Sequence, residues 1–173
     1  FTSSQPIDEL EPIRQRLEPI GTIAMTIQRR ISNLVEYRTL MANFMVLPEL
    51  PDRADTATQA ELRVDLAAAQ AESASVLSDL PEDVSLEAHH ALARDINDRF
   101  ATWQVDYLEA LRTEDSAAAR DLIAELENRL IELDNALVTP LAQIRRQTDA
   151  DLIDLAASID VIVRLANGDT DGP

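Results

Sequence analysis

A chain of 173 residues, 46% of them apolar, can bury one substantial core but is too short for two independent ones. Its net charge of −17, from 32 acidic against 15 basic residues, repels phosphate backbones and anionic lipid, and no basic run offsets it, so neither nucleic acid nor a membrane surface is expected as a partner. The absence of cysteine excludes disulfides and thiol catalysis, and three glycines, at Gly21, Gly168 and Gly172, cannot build a phosphate-binding loop or the tight turns of a sheet protein.

In chain order, Ser4 and Pro6 suit a helix start. From Leu10 to Met45 a heptad pattern runs in two columns: Leu10, Leu17, Ala24, Ile31, Arg38 and Met45 in one, Ile13, Ile20, Ile27, Leu34 and Met41 in the other. Such a seam requires a partner surface. The motif Leu-Glu-Pro-Ile occurs twice, at 10–13 and 17–20, with both prolines off the seam. An interior proline costs about 3 kcal/mol, so residues 1–19 are expected to form a bent or broken arm, followed by a sound helix from Ile20 to Leu47. Pro48 and Pro51 stop it.

Thr58 and Glu61 make a capping-box pattern ahead of a stripe of Leu62, Leu66, Ala69, Ser73, Val76 and Leu80. Pro81 breaks this second helix, and Ser85 is the expected cap of a third, whose stripe is Leu86, His89, Ala93, Ile96, Phe100, Trp103, Tyr107 and Ala110. Asp115 is the expected cap of a fourth, with the seam Ala119, Ile123, Leu126, Leu130, Leu133 and Leu137. Thr139-Pro140 predicts a kink rather than a reversal, because no loop separates Leu137 from Leu141. The apolar pattern then resumes through Leu152, Leu155, Ile159, Ile162 and Ala166 to a stop at Asn167-Gly168.

Short links between helices of similar length predict an all-α fold, an antiparallel up-down-up-down bundle of four helices with a proline-kinked extension or fifth helix. The expected organisation is a single domain: an arm over 1–19, a four-helix body over 20–139, a C-terminal helix over 140–167 and a disordered tail over 168–173. The arm and the C-terminal helix could pair, and Leu10, Ile13 and Leu17 then need that helix or another subunit to cover them.

Little in this pattern points to chemistry. Glu87 and His90 have the Glu-x-x-His spacing of a di-iron site, yet the chain has two histidines in all and no second such motif. No cofactor is expected and no catalytic residue emerges. Arg30 and Arg38 fall on or beside the seam and are expected to pair with an acid or to reach past the apolar surface into water. Counting along antiparallel helices brings Arg38, Trp103 and Glu125 to one level, where Arg38 could pair with Glu125 or stack on Trp103 or Tyr107, a candidate site for a ligand or partner. No apolar run approaches the roughly 20 residues that span a bilayer. The sequence opens with Phe1 and shows no signal-peptide pattern, so a fragment preceded by a signal or anchor is expected.

The predicted architecture is similar to the extracytoplasmic four-helix sensor domains of bacterial receptors. That likeness implies a non-enzymatic interaction or sensing module outside the cytoplasm, secreted or membrane-anchored, working through a protein partner, self-association or a small ligand. The alternative from another class is a ferritin-like bundle binding a metal or ligand through Glu87 and His90.

Overall fold

The computed structural model describes residues 4–168 and is helical almost throughout, with no strand among them. The helices are α1 (Ser4–Met41), α2 (Thr56–Asp79), α3 (Glu87–Arg112), α4 (Ser116–Asn135) and α5 (Val138–Ala166). They belong to two compact units, one formed by residues 35–141 and the other by 1–34 with 142–173. Residues 169–173, most of the expected tail, lie outside the described residues.

In the first unit, α2, α3 and α4 pack in alternating directions. Gln59 near the start of α2 meets the Leu111 carbonyl near the end of α3, and further along Gln70 meets Gln104. Trp103 meets Leu122 of α4, and His89 near the start of α3 meets Leu133 near the end of α4. The stripes read from the sequence are the buried faces: Leu62, Leu66, Ala69, Ser73 and Val76 on α2, and His89, Ala93, Ile96, Phe100, Trp103, Tyr107 and Ala110 on α3. On α4 the buried members of the predicted seam are Ala119, Leu126 and Leu133.

The fourth element of this unit differs from expectation. Helix α1 ends at Met41 rather than Leu47 and lends this unit only residues 35–41. The chain then turns through Met45, which is 4% exposed with φ of 52° and donates its N–H to Ser73 Oγ at 2.7 Å. A left-handed methionine costs about 1–2 kcal/mol, and a buried backbone hydrogen bond offsets it. The segment that follows straps the helix ends together: Tyr107 Oη donates to the Pro51 carbonyl at 2.6 Å, and Arg53 Nε donates to Ser116 Oγ at 2.9 Å.

Three helix starts show how caps are chosen. Asp55, not Thr58, caps α2, its carboxylate accepting the Thr58 N–H at 2.8 Å, which also holds the Asp55 pKa below its usual value. Asp115 caps α4 as expected. Ser85 does not cap α3: Val84–Leu86 form a single 3-10 turn, and Asp83 accepts the Ser85 N–H instead. Between α4 and α5 the break falls at residues 136–137, ahead of Pro140. Pro140 is the third residue of α5, where a missing N–H leaves no helical bond unmade.

The second unit is a helix pair. Of the bent or broken arm expected here, the break is absent: α1 runs unbroken through Pro12 and Pro19. Both prolines are exposed, so the carbonyls they leave without a partner can turn to water. Helix α1 leaves this unit after Leu34 and α5 enters it at Ala142, so with Arg30 against Asp151 the two run in opposite directions. Arg30 donates to Asp151 at 2.8 Å and to Thr148 Oγ1 at 3.3 Å, and only 11% of its side chain is exposed.

The covered edge of α1 is Ile20, Ile23, Ile27, Arg30 and Leu34, continuing to Tyr37 in the first unit. One predicted column is therefore covered and the other, Leu10, Leu17, Ala24 and Ile31, is exposed. Ile23 and Arg30 take its place. On α5 the covered edge is Ile144, Thr148, Asp151, Leu155, Ser158, Ile162 and Leu165, with Leu152 and Ile159 exposed.

Candidate functional site

Of the four residues proposed from the sequence, the structure gathers Trp103 and Glu125 into one hollow between α3 and α4, with a volume of about 260 Å³. Its floor is Ile96, Phe100, Trp103, Leu122 and Leu126, and its rim carries Arg99, Asp106, Glu125 and Arg129. Tyr107 lies behind the floor. Phe100, Trp103 and Tyr107 form a continuous stack along α3, with ring centroids 5.4 and 4.9 Å apart and planes within 12°. Both polar tips are engaged, since Trp103 Nε1 donates to the Leu122 carbonyl at 2.7 Å and Tyr107 donates to Pro51. The stack is therefore core first, with one edge of the indole reaching the hollow.

Arg38 does not join them. It lies exposed in the last turn of α1, in the solvent-facing column beside the covered edge. The counting that brought it level with Trp103 assumed a helix ending at Leu47, and the earlier end at Met41 shifts that register. Around Glu125 the rim charges face one another: Arg129 approaches Glu125 at 3.8 Å and Asp95 at 3.9 Å, and Arg99 reaches Asp95 at 3.3 Å. A hollow with an apolar floor and a rim of paired charges can seat a small apolar group.

Sequence reasoning missed a second cluster. Tyr37, fully buried, donates to His89 Nδ1 at 2.6 Å, and His89 Nε2 faces the Leu133 carbonyl at 3.0 Å. A carbonyl accepts only, so Nε2 carries a proton, and in the neutral imidazole that burial favours Nδ1 receives the Tyr37 hydroxyl. Burial lowers the His89 pKa below 6.5, against the Leu133 carbonyl and Asp134, which raise it. Burial also pushes the Tyr37 phenol up to about 12, so it stays a donor. Both ring nitrogens are thus engaged in joining α1, α3 and α4. The signal that could have found this was Tyr37 itself, an aromatic seven residues after Arg30 and fourteen after Ile23 on the covered edge.

Glu87 and His90 line an open hollow at the start of α3 with Glu82, Asp83 and Arg94. Among the described residues no three His, Asp or Glu side chains are grouped to hold a metal ion. A guanidinium among the few groups present does not fit a cation site.

The third feature is a surface. Six large apolar residues of the helix pair, Leu10, Leu17, Ile31, Leu152, Ile159 and Val163, are each 46–58% exposed. They follow the covered edges in one rotational sense: Ile13 to Leu17 and Ile27 to Ile31 on α1, Thr148 to Leu152 and Leu155 to Ile159 on α5, each a step of four. Because the helices run in opposite directions, equal steps bring both columns out on the same face of the pair. No family model matches this sequence, and neither a curated protein nor a solved structure matches it.

Proposed function

We propose that the chain is a non-enzymatic helical interaction module whose working surface is the apolar face of the α1/α5 pair. The observation that carries this reading is the pair of exposed columns, Leu10, Leu17 and Ile31 beside Leu152, Ile159 and Val163, on one face of a near-neutral unit. Scattered single apolar residues on a surface need no explanation, but a contiguous apolar face does. Against an enzymatic role stands the use of the buried imidazole, whose two nitrogens both serve the fold. The proposal includes a setting outside the cytoplasm with a tether, and what supports it is the antiparallel course of α1 and α5, which leaves one end of the helix pair free for attachment to a single surface. No described helix is long and apolar enough to cross a membrane, so such a tether would lie outside it.

If the face serves a partner and not the fold, charging it leaves the dilute chain intact. Leu17→Glu combined with Ile159→Glu is expected to preserve the far-ultraviolet circular dichroism and the melting temperature of dilute protein. Loss of helix in that variant would make the face part of the core and end this reading.

A further inference from the structure

We infer that the occupant of this face is a second copy of the chain, laid face to face and running in the same direction, with α1 of one copy on α5 of the other. The inference rests on the interaction reading above and adds the partner.

Size is the first argument. Residues 10–34 and 142–166 are segments of equal length, and at about 1.5 Å per residue and roughly 10 Å per helix they present a face of about 750 Å². A specific dimer buries about 800 Å² on each partner. Charge is the second. Unit 35–141 holds eight arginines and twenty-two acids, a net −14, and would repel its own copy; the rest of the chain, with seven arginines and ten acids, carries −3. Within the pair the charges are complementary between helices: residues 10–34 of α1 carry four arginines and two acids, whereas residues 142–166 of α5 carry three arginines and four acids. A same-direction copy sets the basic segment against the acidic one, as Arg30 already sits against Asp151 within the chain.

Shape is the third argument. Arg30 lies level with Thr148 and Asp151, and nine residues back along α1 and nine forward along α5 Gly21 lies level with residues 157–160. A copy paired in that register brings its exposed Ile159 over Gly21, where a side chain would meet nothing within 4 Å. Helix α1 then has two apolar edges with two uses, one covered by its own α5 and one by the copy's α5, which is what a helix in a four-helix assembly requires.

The chain has no cysteine, so single cysteines report on single positions. Sedimentation equilibrium of the full chain is expected to rise with concentration from one chain of 19.2 kDa to twice that mass. Leu17→Glu with Ile159→Glu is expected to abolish the rise, and mixing separately prepared Gly21→Cys and Ile159→Cys chains under mild oxidation is expected to give the mixed disulfide. A mass that stays monomeric at every concentration, or a dimer that survives the paired glutamates, would overturn the inference. In the monomeric case an intact, normally melting double-glutamate variant leaves the interaction reading standing without this partner, whereas an unfolded one removes both.

Discussion

The two units are built from the same kind of helix and differ in how the apolar residues are used. In residues 35–141 the stripes of α2, α3 and α4 meet one another and close over aromatic rings and a hydrogen-bonded Tyr37–His89 pair. In the α1/α5 pair, of the described apolar residues only Ile27 and Ile144 are buried, and a full column on each helix faces solvent. The charge divides the same way, −14 against −3. Two helices have one mutual edge each, so a helix with two apolar edges keeps one unpartnered until something else arrives. The first unit is a completed core; in the second, one apolar column of each helix stays exposed.

The largest expected contrast is therefore between matched leucines. Leu66→Ala removes a fully buried side chain and is expected to cost about 2–5 kcal/mol in denaturant unfolding, while Leu17→Ala in dilute, monomeric protein costs under about 0.5 kcal/mol. Equal losses would erase the distinction between the units.

Next in size is the polar tie of the completed core. Tyr37→Phe keeps the ring and deletes the hydroxyl, leaving His89 Nδ1 buried without a donor, at an expected cost of about 1–3 kcal/mol. The same site gives a pH dependence. The folded pKa of His89 lies below the ordinary 6.5, so the unfolded chain binds the proton first. The stability that neutral His89 contributes is complete above about pH 6.5 and falls as pH drops from there toward the folded pKa. Unfolding measured at neutral and mildly acidic pH is expected to show this loss in the natural chain and not in His89→Phe.

A smaller and more local effect belongs to Arg30. Its ion pair with Asp151 is one of the polar ties within the helix pair, and Arg30→Ala is expected to cost about 1–2 kcal/mol, read as faster amide exchange in residues 10–34 and 142–166 with protection of 56–135 unchanged. Faster exchange throughout would mean that the two units unfold together.

The sequence made the completed core legible nearly residue by residue, because each of α2, α3 and α4 has one apolar stripe and one way to bury it. His89 fell on its stripe for the same reason. In α1 the apolar residues occupy three adjacent columns, and a seam drawn through Leu10, Leu17 and Ile31 satisfies periodicity as well as one through Ile23, Arg30 and Tyr37. Periodicity locates edges; which edge a given partner takes depends on tertiary geometry that no single helix encodes. Arg38 was misplaced with its column, whereas Arg30, expected to pair with an acid or to reach into water, does pair with an acid, and only the identity of that acid, Asp151, needed the fold. Trp103 and Glu125 came together because both lie on helices whose ends the caps and prolines fixed to within a few residues.

The smallest effect is the most discriminating. Gly21 sits inside α1, exposed, with no atom within 4 Å of where a β-carbon would stand. A glycine inside a helix costs up to about 1 kcal/mol relative to alanine, since it loses more backbone freedom on folding. Gly21→Ala in the dilute chain is therefore expected to raise helix content and stabilise the α1/α5 pair by about 0.5–1 kcal/mol, with residues 56–135 unaffected in amide exchange. At concentrations where a second copy is bound, the added methyl meets the residue laid over that position, and the gain shrinks or reverses. A stabilisation that is the same at every concentration would show that position 21 faces water in all states of the protein, and would leave the exposed face without a partner over its middle third.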